Sequence, residues 1–168
     1  MRTVELLGDD RLDRAVRAAW RRLDGAGLAS LGRHRHPTNR PHLTLVSADD
    51  FPPGAAEAVA GAVRALPVRV RLNGLRFFGG RAGVLAWAVD GGAALRDLQA
   101  EVWRALDGAD RNPQQEPGAW IPHISLARRL RPDQEALAAQ AVGSSAVSGD
   151  LSQVRSYDSV TRTVVPLL

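Results

Sequence analysis

The hydrophobic pattern changes period early in the chain. Residues 2–7 read as a short first strand, after which Leu12, Val16, Ala19, Trp20 and Leu23 recur at three- and four-residue spacing. Arg14, Arg17, Arg21 and Arg22 lie mostly elsewhere around that repeat, so the spacing predicts a helix running to about Gly25, capped by Asp9 or Asp10, with Trp20 in the core. Gly25, Gly27 and Gly32 end it and open a polar, basic loop through Arg40. Asp49 to Pro53 then supplies a helix start, and Ala55 to Leu66 predicts an Ala-rich helix closed by Pro67.

Strict alternation over Val68–Leu72 predicts a strand with one apolar and one basic face, continued after a bend by Gly74–Phe78. Gly79–Gly83 reads as a hairpin loop and Val84–Val89 as the returning strand. Because that glycine run does not lie between a strand and a helix, it is no nucleotide-binding fingerprint. A third helix follows Gly91-Gly92, with Leu95, Leu98, Val102 and Leu106 as its inner stripe and Trp103 at its margin. The polar loop Asp107–Gly118 leads into Trp120–Arg128, and a short helix over 133–142 precedes strands near 147–156 and 160–168. Helices interleaved with hairpin-linked strands argue for an α+β fold with mainly antiparallel sheets, built as one domain of two pseudo-symmetric lobes over residues 1–168.

Two strands carry the same order of residue types: Pro41-His42-Leu43-Thr44-Leu45 and Pro122-His123-Ile124-Ser125-Leu126, with histidines 81 residues apart. Side chains on a strand alternate faces, so His42 shares a face with Thr44, and His123 shares one with Ser125. Leu43, Leu45, Ile124 and Leu126 face the other way and can anchor each strand in a core. Two such strands brought together would present two imidazoles and two hydroxyls to one site.

The paired His-hydrophobic-[Thr/Ser]-hydrophobic tetrads resemble the signature of the 2H phosphoesterases, and within them the 2'-5' RNA ligase-like proteins that open RNA 2',3'-cyclic phosphates. The resemblance implies a bilobal fold, with two mainly antiparallel sheets lining a central cleft, helices packed outside and the site in the cleft. It implies metal-independent phosphodiesterase activity without a cofactor, with possible reverse 2'-5' ligation, on RNA ends or a small nucleotide bearing a cyclic phosphate. Carried over, His42 is the acid that protonates the leaving oxygen, His123 the base that activates water, and Thr44 and Ser125 hold the phosphate. Arg128 adds a charge-assisted contact, although strict alternation from His123 puts it on the opposite face. The competing class is a catalytically silent phosphate- or RNA-binding module of the same fold; intact histidines and hydroxyls in both tetrads count against it.

Composition changes this picture little. The chain has no cysteine, which excludes disulfides and thiolate metal sites. Its 22 basic residues are all arginine, compatible with a phosphate-bearing substrate, but the net charge of +4 does not by itself establish nucleic-acid binding. His34, His36 and His42 raise the possibility of a metal site, yet they lack a nearby carboxylate at suitable spacing. No apolar run approaches a membrane span, and residues 1–7 break off at Gly8-Asp9-Asp10 before a signal-peptide core, so a cytoplasmic monomer is expected. Core packing is the expectation for Phe78 and Trp120 rather than base stacking; Tyr157 is open between the two.

Overall fold

The computed structural model describes residues 1–79 and 83–167. The hairpin loop expected at Gly79–Gly83 therefore falls largely outside the described residues. Strands β1 (Arg2–Gly8), β2 (Leu43–Ala48) and β3 (Val68–Phe78) alternate with helices α1 (Asp10–Gly25) and α2 (Ala55–Ala62). The same strand-helix order then repeats with β4 (Val84–Asp90), α3 (Gly92–Ala105), β5 (His123–Arg128), α4 (Glu135–Val142) and β6 (Val147–Asp158), and β7 (Thr163–Pro166) closes the chain.

The strands form one sheet in the order β1-β2-β5-β4-β3-β6-β7, and β1 also pairs with β6. Every pairing among the described strands is antiparallel. The two expected lobes are thus halves of a continuous sheet rather than separate sheets. Strand β6 belongs to both: Val147–Leu151 pairs with β3, and Leu151–Asp158 pairs with β1. Exchanging β1 with β4, β2 with β5 and β3 with β6 leaves the pairings among these six strands unchanged, which is the pseudo-twofold the tetrads hinted at; β7, paired with β6, has no counterpart.

The elements arise from local chemistry. Asp9 accepts from the Leu12 amide at 2.9 Å, satisfying one of the orphan donors of the first turn of α1. Leu12, Val16, Ala19, Trp20 and Leu23 are the residues α1 buries, as its spacing requires. Helix α2 ends at Ala62 rather than Leu66. Proline at 67 disfavours the helical region for the residue before it, so the chain leaves in turns. The bend expected in β3 is a register shift between Leu72 and Leu75, where Gly74 adopts φ +80°, which glycine tolerates without strain. One hydrophobic cluster runs through both halves, from Val4 and Leu12 to Leu95, Leu126 and Val154. No helix among the described residues is long and apolar enough to cross a membrane.

The two tetrad strands carry matching irregularities. Between β1 and β2, Glu5 faces Thr44 while Val4 faces Val46, so Leu45 is the extra residue of a bulge. Between β4 and β5, Ala86 faces Ser125 while Leu85 faces Ala127, so Leu126 is the extra residue. Bulges leave backbone groups without ladder partners, and a buried carbonyl needs one. Side chains from elsewhere supply them. Trp20 of α1 donates to the Ser125 carbonyl at 3.2 Å, Trp120 donates to the Thr44 carbonyl at 3.1 Å, and Gln99 of α3 donates to the Leu45 carbonyl at 3.3 Å. Each half's long helix thus supports the other half's tetrad strand, which holds the two together beneath the cleft.

Gln99 also donates to the Gln115 carbonyl at 2.7 Å, and Gln115 accepts from both the amide and the hydroxyl of Ser47. This polar core residue, only 1% exposed, pins the 107–118 loop to the end of β2. Replacing Gln99 with leucine is expected to lower stability by about 1–3 kcal/mol, the usual result of stranding buried acceptors. Urea unfolding of the variant checks this; a midpoint unchanged from the parent would show that water or a neighbour takes over both carbonyls.

Candidate active site

Leu43 of β2 lies directly opposite Ile124 of β5 in an antiparallel pair. One step to either side, that register sets His42 across from Ser125 and Thr44 across from His123. All four side chains then rise from the same face, while Leu43, Leu45, Ile124 and Leu126 are at most 2% exposed behind it. A cleft of about 770 Å³ is lined by His42, Thr44, His123, Ser125 and Arg128, with Phe78, Trp120 and Ile121 among its walls. The structure therefore brings every residue proposed from the sequence to one cavity.

Both imidazoles are held the same way. His42 Nδ1–H donates to the Arg40 carbonyl, and His123 Nδ1–H donates to the Ile121 carbonyl, each at 2.7 Å and each two residues back across a proline. A carbonyl can only accept, so Nδ1 carries a proton in both rings and Nε2 is left for chemistry. The repeated Pro-His order is thus a device for orienting a ring and setting its tautomer.

Arg128 reaches the cleft because of the bulge. Uninterrupted alternation would send it to the far face; the extra residue at Leu126 reverses the parity, and Leu126 and Ala127 are consecutively buried before Arg128 emerges. Burial holds the His123 imidazole below its usual titration range, helped by the positive fields of His42 and Arg128 and opposed by the Ile121 carbonyl.

Glu5 was not singled out from the sequence. It is 2% exposed, accepts from Arg155 at 2.8 Å and from Thr3 at 2.8 Å, and its Oε1 lies 3.6 Å from Nε2 of His42. Alternation of Thr3, Val4, Glu5 and Leu6 places Glu5 and Thr3 together opposite the core, which was a readable signal once β1 is known to neighbour β2. Its pseudo-symmetric counterpart is Ala86, facing Ser125, so the two halves of the site are not electrostatically equivalent.

Phe78 departs from expectation. It is half-buried in the cleft wall outside the core cluster, its ring centroid 4.7 Å from that of His123. Trp120 packs on the core and lines the cleft as well. Tyr157 lines an adjoining depression of about 420 Å³ that shares His42, Thr44 and Arg128 with the cleft. His34 and His36 also line that depression. Among the described residues no three histidine, aspartate or glutamate side chains gather as metal ligands do.

A bilobal antiparallel sheet with twin His-x-[Thr/Ser] strands meeting at a pseudo-dyad defines the two-histidine phosphoesterase class. The chain belongs to the 2'-5' RNA ligase superfamily, which it matches over residues 9–158. Among solved structures it is similar to Kluyveromyces marxianus Usb1, at 14% identity and a TM-score of 0.53, with 99% of this chain and 96% of that one covered. The same values hold for Kluyveromyces marxianus Usb1 with uridine monophosphate. At that identity the likeness speaks to the fold. A search of curated proteins finds no match.

Proposed function

We propose that this protein is a metal-independent phosphodiesterase that opens a 2',3'-cyclic phosphate, or a 2'-5' phosphodiester, at RNA ends or on a small nucleotide. The observation that carries the reading is the register of β2 against β5, which turns two histidines and two hydroxyls onto one face of one cleft. In the reaction, His123 Nε2 takes a proton from water as its oxygen attacks phosphorus. The bond from phosphorus to the 2' or 3' oxygen breaks, and His42 Nε2–H delivers a proton to that oxygen. The hydroxyls of Thr44 and Ser125 donate to the non-bridging oxygens as they gather charge, and Arg128 adds a charge-assisted contact. The cycle ends with His123 protonated and His42 neutral, and proton exchange with solvent resets both.

The division of roles has electrostatic support. Burial lowers the His123 value, which favours the neutral form a base needs; the two rings are not equivalent, since only His42 has a buried carboxylate, Glu5, 3.6 Å from its Nε2. Kluyveromyces marxianus Usb1, which shares the fold, has been solved with uridine monophosphate, and a cleft of about 770 Å³ has room for a ligand of that kind. The deciding experiment incubates the protein, in chelator, with 2',3'-cyclic nucleotides, cyclic-ended RNA and 2'-5' linked oligonucleotides, and identifies the product ends. Failure to turn over any of them, with binding retained, would leave a phosphate-binding module instead.

A pH profile tests the assignment of the base. Because the His123 value is depressed, the acid limb of kcat/KM is expected below about 6.5, the ordinary histidine value. Arg128→Gln removes one of the positive charges that depress it, so the limb moves to higher pH while kcat/KM itself falls. A limb that stays in place in Arg128→Gln would mean that another group sets it.

A further inference from the structure

Two depressions continue the cleft away from the histidine pair, and the cations along them point to the part of the substrate beyond the reacting phosphate. The first, of about 420 Å³, joins the cleft at His42, Thr44 and Arg128 and contains Arg155 and Arg162. The second, of about 400 Å³, contains Arg17, Arg21 and Arg35. His34, His36 and Asn39 line both, so the 34–39 loop is the saddle between them. That saddle is built: Asn39 Nδ2 donates to the Leu31 and His34 carbonyls at 2.9 Å each, and the Thr38 amide donates to His36 Nδ1.

The charge along this path is not neutralised. Glu5 is buried against Arg155, Asp24 is paired with Arg33, and Arg17 is paired with Asp13. Arg21, Arg35, Arg128 and Arg162 make no ion pair among the described residues. These are four of the twelve arginines without an ion pair among the described residues, and they line two joined depressions that start at the reacting centre. The cleft's own walls include Phe78, Trp120 and Ile121, with one further cation, Arg129, that is not on this track. Apolar walls suit the base of a terminal nucleotide, and a line of cations suits successive phosphates.

We propose that the substrate is a single-stranded oligonucleotide whose 5' continuation leaves the cleft past His42, crosses the 34–39 loop and lays its phosphates against Arg162, Arg35 and Arg21. This rests on the phosphodiesterase reading and adds that a polymer, not a small cyclic nucleotide, is the ligand for which the surface is shaped. A duplex is too stiff and wide to follow depressions separated by a saddle, whereas a single strand bends over it. Tyr157, half-buried in the first depression, offers a face on which a base can stack.

The test compares a cyclic-ended mononucleotide, dinucleotide and hexanucleotide as substrates of the full chain over a range of salt concentrations. Expected is a kcat/KM that rises at least about tenfold from mononucleotide to hexanucleotide. For the hexanucleotide, log kcat/KM should fall with log salt by about 0.7 per phosphate held. Arg21→Glu/Arg35→Glu should return the hexanucleotide to the dinucleotide level and flatten its salt slope, with the mononucleotide unchanged. Arg64→Glu/Arg96→Glu, the same charge change at exposed positions outside the track, should leave the length dependence intact. Equal rates for all lengths, or equal losses in both double variants, would overturn the track. If no substrate of any length turns over, the catalytic reading fails separately. Salt-dependent binding of a labelled 3'-phosphate hexanucleotide, weakened by Arg21→Glu/Arg35→Glu, would then still support the track, and unaltered binding would overturn it.

Discussion

Replacing His42 or His123 with alanine is expected to lower kcat/KM on a cyclic-ended substrate by about 10²–10⁴-fold, the usual worth of a positioned general acid or base. Both rings rise from the cleft side of strands whose opposite residues, Leu43 and Ile124, are buried in the core. Neither imidazole fills a core cavity, so melting temperature should stay close to the parent value. The two changes combined should lose much less than the product of the singles, since an acid without its base has little left to contribute. Thr44→Ala and Ser125→Ala should lose a comparable or smaller factor each, having removed one donor to the phosphate oxygens. Kinetics and thermal unfolding measured on the same preparations decide the matter. Histidine variants that unfold, or that turn over as fast as the parent, would make the tetrads structural.

The second large effect falls on stability and lies beside the site. Glu5 and Arg155 have side chains 3% and 7% exposed, and their 2.8 Å contact bridges β1 to β6, the strand shared by both halves. Truncating one member of such a pair leaves the other charge buried without a partner, which typically destabilises by about 3–5 kcal/mol. For Glu5→Ala, at roughly 2–4 °C per kcal/mol in a chain of this size, the melting temperature should fall by about 10 °C. Substituting both residues, as Glu5→Leu with Arg155→Met, should be less damaging than either truncation, because no uncompensated charge remains. Calorimetry and urea unfolding on the singles and the double give the coupling directly. A Glu5→Ala protein within about 1 kcal/mol of the parent would show that water reaches the pair.

Much of the architecture was legible in order of residues. Period-two and three-to-four-residue spacings located the strands and helices, because burial of one face is what those periods encode. The tetrads named four site residues for the same reason: alternation fixes which side chains share a face, whatever the strand pairs with. Asp9 could be read as a cap and Trp20 as core, since each depends only on its own helix.

What depended on partners in space could not be read. Alternation put Arg128 on the wrong face, because the bulge at Leu126 exists only where β4 and β5 pair out of step. Glu5 looked like an ordinary strand residue until β1 was set between β2 and β6, bringing it to Arg155 and His42. Gln99 carries no signal in the spacing of its helix, and its role appears only where its side chain meets the bulged carbonyl of Leu45. Phe78 was expected in the core, yet it lines the cleft beside His123, a placement set by which strands meet there. The sequence by itself determined which residues share a face within each element, a consequence of local backbone geometry; the tertiary structure alone decided which faces meet, because register, bulges and buried charge pairs are set by contacts between segments far apart in the chain.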